Sequence, residues 1–226
     1  MREIVLDTET TGLDPADGHR VVEIGALELV NRVPTGSHWH SYINPERDMP
    51  DEAYRIHELS EDFLRDKPRF AEVAEGLLEY VGEAPLVIHN APFDAGFLNA
   101  EFARLGLPPL AGERLVDTLQ MARSRFAGAP NSLDALCKRF EIDLSVRTLH
   151  GALIDCRLLA EVYLHLTGGR QPGLAFQAGA ASDAETVEKA QAANLFRPPR
   201  PHAPTPEELA AHKAFIAGLK DPVWLD

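Results

Sequence analysis

The stretch Ile4-Val5-Leu6-Asp7-Thr8-Glu9-Thr10-Thr11-Gly12 constrains this chain more than any other. Ile4, Val5 and Leu6 make a strand apolar on both faces, the pattern of a sheet covered on two sides. Side chains on a strand alternate, so Asp7 and Glu9 project the same way. Two carboxylates side by side repel and lose hydration unless a cation sits between them. A buried strand ending in paired carboxylates therefore reads as a hard-metal site at a sheet edge. An all-oxygen ligand set favours Mg²⁺ or Mn²⁺ over zinc. The competing reading is a solvated strand-to-loop turn, because Asp, Thr and Gly are common turn residues. This stretch alone is compatible with both.

The rest of the chain mixes the two periodicities. Strands are predicted at residues 3–8, 20–30, 37–43, 85–89 and 114–117. Val21-Val22-Glu23-Ile24-Gly25-Ala26-Leu27-Glu28-Leu29 has the apolar, β-branched character of a core strand. Helices are predicted at 51–57, 70–81, 92–105, 117–126, 131–140 and 151–167. Leu133, Leu136, Cys137 and Phe140 follow a helical stripe, with Asn131 or Ser132 as N-cap. Pro92 suits a first helical turn. Strands early, helices later and some alternation give an α/β fold, a mixed sheet covered by helices.

Residues 1–168 form the expected domain, and composition changes at Gly168-Gly169. Residues 177–204 are rich in Ala, Gly, Pro and polar residues, so 169–204 is expected to be a linker. The segment 205–226 is a distinct tail. It opens on Thr205-Pro206-Glu207-Glu208, a capping box with proline in the first turn. Leu209, His212, Ile216 and Leu219 then make a stripe, and Trp224 follows Pro222. A length of 226 residues and 45% hydrophobic content suit one sizeable domain with appendages.

A net charge of −13 argues against a broad duplex-DNA surface, which needs a basic face. It leaves room for a metal site that takes one strand end, since divalent ions supply positive charge. Met1-Arg2-Glu3 runs straight into the first strand, and no apolar run approaches the ~20 residues of a membrane span. A cytoplasmic protein without signal peptide or membrane span is expected. Cys137 and Cys156 are expected to be buried free thiols and lack zinc-ligand spacing. There is no P-loop, Rossmann glycine fingerprint or G-x-S-x-G elbow.

Three further features converge with Asp7 and Glu9. Val87-Ile88-His89-Asn90-Ala91-Pro92-Phe93-Asp94 runs from a strand through a turn into a helix, placing Asp94 in its first turn. A carboxylate there also serves as an ordinary capping acid. His150-Gly151-Ala152-Leu153-Ile154-Asp155 cannot share one helix face, since five residues subtend ~140°. A loop position for His150 removes that obstacle. Thr8, Thr10 and Thr11 line a substrate path or simply form the turn. Four carboxylates and a histidine fit phosphodiester hydrolysis, in which two metal ions stabilise the attacking and leaving oxygens. A neutral histidine near pH 7 can accept the proton of the attacking water.

The set Asp7-Thr8-Glu9-Thr10-Thr11-Gly12, His89-Asn90-Ala91-Pro92-Phe93-Asp94 and His150 with Asp155 resembles the three motifs of the DEDDh 3′→5′ exonucleases. Asp117-Thr118-Leu119, Asn131-Ser132-Leu133-Asp134-Ala135-Leu136-Cys137, Thr148-Leu149-His150-Gly151-Ala152-Leu153 and Ala160-Glu161-Val162-Tyr163 are similar to its proofreading branch, which serves bacterial replicative DNA polymerases. The resemblance covers about residues 3–176. It implies a ribonuclease H-like fold and removal of nucleotides from a DNA 3′ end, single-stranded or frayed, with two ions, Mg²⁺ or Mn²⁺. By the same resemblance Asp7 bridges both ions, Glu9 and Asp155 complete the site that activates water, Asp94 supports the second ion, and His150 is the general base. Thr8, Thr10 and His57 are the implied contacts to the terminal nucleotide. Glu58 departs from the family, which often has glycine there.

Gln171-Pro172-Gly173-Leu174-Ala175-Phe176 resembles the bacterial sliding-clamp-binding motif, with Gln171, Leu174 and Phe176 as anchors. The tail, through Leu209, Ile216 and Trp224, is expected to hold the polymerase subunit. Two other functions compete: a stand-alone DEDDh nuclease trimming RNA or short oligonucleotides, and a non-catalytic adaptor on a dead nuclease scaffold. Clamp and polymerase segments argue against the first, and the intact set of acids argues against the second.

Overall fold

A computed structural model of the chain describes residues 1–145, 151–169 and 204–218. Residues 1–174 and 175–226 form separate units. The first unit is built on a five-stranded sheet of β1 (Arg2–Thr10), β2 (Val21–Val30), β3 (Val33–Tyr42), β4 (Leu86–Ile88) and β5 (Leu115–Asp117). Their order is β3-β2-β1-β4-β5. β1–β2 and β2–β3 are antiparallel hairpin neighbours, whereas β1–β4 and β4–β5 are parallel. This is the mixed sheet that the sequence pattern and the family resemblance lead one to expect.

Helices cover both faces, which is why Ile4, Val5 and Leu6 are all fully buried. On one face Ile4, Leu6, Ile24 and Ala26 pack against α3 (Phe70–Val81) and α4 (Ala91–Arg104). On the other, Val5, Leu27, Leu29 and Val87 pack against residues of α5 (Thr118–Arg125), α6 (Leu133–Arg139) and α7 (Ala152–Leu166). Cys137 and Cys156 sit buried in this second core. Before α3 come α1 (Asp51–His57) and the single turn α2 (Glu61–Leu64).

The structure departs from the sequence reading in two places. β3 starts at Val33, because Asn31 and Arg32, with φ of 52° and 66°, form a two-residue hairpin turn that pairs Val30 with Val33. Arginine is an unusual occupant of such a turn, so the pattern conceals it. α2 is too short to show a helical stripe, and Ser60 caps it by accepting from the Phe63 N–H. The second unit contains α8 (Pro206–Ala217), started by the capping box of Thr205 and Glu208 with Pro206 in the first turn. Leu209 and Phe215 on α8 are exposed.

Candidate active site

Strand register builds the acidic centre. Asp7 and Glu9 leave β1 on the same face, where Asp7 lies opposite Gly25 and Glu9 opposite Glu23 of β2. The register slips between Glu9 and Thr10, and pairing resumes with Thr10 opposite Val21. α7 crosses the same face and carries Asp155 in its first turn. Gly25 permits that approach: a Cβ there would lie 2.6 Å from the backbone of Ala152 and Leu153. The Cys156 thiol donates to the Gly25 carbonyl at 3.2 Å and helps seat the helix. Asp7 and Glu9 are partly buried, and Asp155 is 4% exposed.

One carboxylate oxygen each from Asp7, Glu9 and Asp155 fall within 4.8 Å of one another. That approaches the ~4.2 Å across the ligand shell of one Mg²⁺, whose metal–oxygen distances are about 2.0–2.1 Å. Burial, then the charges of Asp94, Glu9, Asp155 and Glu23, push the Asp7 carboxyl well above the ordinary 3.8. Carboxylates gathered this closely repel one another, an electrostatic cost that a divalent ion would relieve. The donor set and its spacing fit a hard divalent cation.

Asp94 comes from the opposite layer. The parallel pairing of β4 with β1 delivers the following turn beside the acids, where Asn90 (φ 70°) caps α4 and Asp94 occupies its first turn. Asp94 is 3% exposed and accepts from the Thr8 N–H at 2.9 Å and the Thr8 hydroxyl at 2.7 Å. Burial raises its carboxyl from 3.8 to about 7, against the Thr8 hydrogen bonds that favour the charged form. It adjoins the three-acid cluster without belonging to it.

A cavity of about 500 Å³ opens beside the acids, lined among others by Thr8, Glu9, Thr10, Ile56, His57 and Phe93. Its volume is that of a small-ligand site. Thr8 lines it with both donors already bound to Asp94, and the Thr10 hydroxyl donates to the Gly12 carbonyl at 2.6 Å. The Leu59 N–H donates to His57 Nδ1 at 3.0 Å, so in the neutral ring Nε2 carries the proton. Glu58, next to His57, has φ 56° at the C-cap of α1. That left-handed position is one that glycine adopts without a steric penalty.

His150 lies outside the described residues, as do Gln171, Leu174, Phe176 and Trp224; Leu209 and Ile216 lie on α8. The sequence reading passed over Glu23, Gly25, His19 and Phe93. Glu23 and Gly25 carried signals, an acid and a glycine inside an apolar core strand. His19 gave none: its ring packs over Gly12, and its Nδ1 lies 3.1 Å from the Thr11 hydroxyl.

A family model described as Exonuclease matches residues 4–163. DNA polymerase III subunit epsilon of Rickettsia felis is 50% identical over 97% of this chain and 97% of its own length. The Escherichia coli protein of the same name is 47% identical over 95% of this chain and 92% of its own length. Among solved structures, Exonuclease X in complex with 5′ overhanging duplex DNA is 28% identical with a TM-score of 0.59, covering 73% of this chain and 90% of that one. The nuclease domain of 3′hExo, a DEDDh family member bound to rAMP, is 17% identical and shares the fold, with a TM-score of 0.63 over 73% of this chain and 90% of that one.

Proposed function

The chain belongs to the exonuclease family, in its group of DNA polymerase III epsilon subunits, and from that premise we propose that it is the 3′→5′ proofreading exonuclease of a bacterial DNA polymerase III. The observation that carries the proposal is the cluster of Asp7, Glu9 and Asp155 beside a cavity of small-ligand size. The enzyme is a hydrolase that shortens a DNA strand from its 3′ end.

Asp7, Glu9 and Asp155 are the residues to hold one divalent ion, and Asp7 with Asp94 a second, Mg²⁺ or Mn²⁺. Such ions, when bound, polarise the scissile phosphodiester and stabilise the attacking and leaving oxygens. His150 accepts the proton of the attacking water as a neutral imidazole. Thr8 fixes Asp94 through two hydrogen bonds, which keeps the α4 carboxylate aimed at the centre. The terminal nucleotide occupies the cavity, with the Thr10 backbone and His57 as polar contacts and Phe93 as an apolar surface for the base. The net charge of −13 suits a frayed single-stranded end over a long duplex footprint.

Residues 1–168 are the catalytic domain, 169–204 a linker, and 205–226 a tail that binds the polymerase alpha subunit through Leu209, Ile216 and Trp224. Gln171, Leu174 and Phe176 anchor the beta sliding clamp. Among the described residues no helix is long and apolar enough to cross a membrane. We place the protein in the cytoplasm with the replication machinery. A 5′-labelled single-stranded DNA tests the direction: a ladder of shortening labelled products supports the proposal. Release of the label as a mononucleotide at the first turnover, or cleavage of a 3′-blocked strand at the unblocked rate, contradicts it.

A further inference from the structure

Glu23 is 3% exposed and lies directly across the β1–β2 ladder from Glu9. Residues opposite each other in an antiparallel pair share a face, with Cβ atoms about 4.5–5.5 Å apart, and like charges there are destabilising. Its partner is His40, whose Nε2 lies 2.6 Å from Glu23 Oε1. His40 occupies β3 opposite Gly25, which is itself opposite Asp7. Two adjacent rows therefore cross three strands on one face: Asp7, Gly25 and His40, then Glu9, Glu23 and Tyr42. The His40 ring is held edge-on against Tyr42, with centroids 4.8 Å apart, and Tyr42 in turn packs on Phe63 at 5.0 Å.

A staple between β2 and β3 does not require this arrangement. The two strands are already joined by their own ladder, and an apolar pair would serve as well as a buried ionisable one. Glu23 instead adds negative charge to a place where Glu9, Asp7 and Asp155 already repel. A cation at the centre would make that addition favourable. We propose that Glu23 is a fifth carboxylate of the metal centre, a positioning residue that strengthens cation binding at Asp7, Glu9 and Asp155 without ligating the ion, and that His40 fixes its orientation. This rests on the reading of those three acids as metal ligands. Removing hydrogen-bond partners of metal ligands typically weakens metal affinity about 10–100-fold, and removing a negative charge beside the ligands acts in the same direction.

The test is a calorimetric Mn²⁺ titration of the full chain without DNA, on wild type, Glu23→Gln, Glu23→Asp and Asp7→Ala, with Tm of each metal-free protein. Glu23→Gln keeps the shape and an acceptor for His40 while removing the charge. The proposal expects Mn²⁺ affinity about tenfold weaker in Glu23→Gln, an intermediate loss in Glu23→Asp, and a metal-free Tm at or above wild type. Wild-type Mn²⁺ affinity with a lowered Tm in Glu23→Gln, while Asp7→Ala binds poorly, overturns the role of Glu23 alone. Undiminished binding in Asp7→Ala overturns the metal centre itself. Should Glu23→Gln fail to fold, Glu23→Asp decides, a loss of affinity supporting the proposal and wild-type affinity overturning it.

Discussion

Asp94 couples the active centre to stability. Its carboxyl is raised from 3.8 to about 7 by burial, and Asp7 is raised in the same direction by burial and by its neighbours' charges. Between about pH 4 and about pH 7 the folded, metal-free chain keeps a proton on Asp94 that the unfolded chain has released. Stability from this group is therefore complete below the unfolded value and is lost as pH rises through about 7. In EDTA, Tm should fall between pH 5 and pH 8, and Asp94→Asn should flatten that slope; a scan with equal slopes in both proteins contradicts the assignment. His150→Ala should slow hydrolysis by about 10²–10⁴-fold, the usual scale of general-base catalysis, and leave Mn²⁺ binding nearly intact. Rates within a few-fold of wild type would remove His150 from that role. Asp7 and Glu9 were readable because a strand has period two and both acids follow three apolar residues. Glu23 was marked only as an acid inside an apolar strand, and its place opposite Glu9 is set by the register with β1, a long-range property.

Short signals at element ends mark three helices: Ser132 caps α6, proline opens α4 and α8, and the capping box starts α8. Strand pairing order was harder to read, because the parallel contact of β1 with β4 joins residues some eighty positions apart. Gly25 shows how one position controls an element, since a Cβ there would keep the N-terminus of α7 off β2. α1 ends on a strained residue. Glu58 adopts φ 56°, a region that costs a non-glycine residue about 1–2 kcal/mol, whereas glycine loses about 0.5–1 kcal/mol of chain entropy. Glu58→Gly should therefore stabilise the chain by about 0.5–1 kcal/mol in denaturant unfolding. A destabilised variant would mean that the Glu58 side chain makes contacts that outweigh its backbone strain.

At the scale of the whole molecule, composition changes at Gly168-Gly169, whereas the two units divide between residues 174 and 175. On the proposed reading, a tail that holds the polymerase raises the effective concentration of the nuclease near the primer end. Deleting residues 205–226 should spare hydrolysis of free oligonucleotides and abolish co-elution with the polymerase alpha subunit. Co-elution at wild-type affinity would refute the role of the tail. The proposed chemistry depends on carboxylates that hold divalent ions at a 3′ end. Its most direct test is degradation of a primer with a mismatched 3′ terminus, with and without Mg²⁺, by wild type and by Asp7→Ala. The account predicts rapid removal of the mismatched nucleotide by wild type in Mg²⁺, none in EDTA, and none by a folded Asp7→Ala whose metal-free Tm equals or exceeds wild type. Full activity in EDTA, or in Asp7→Ala, would contradict it.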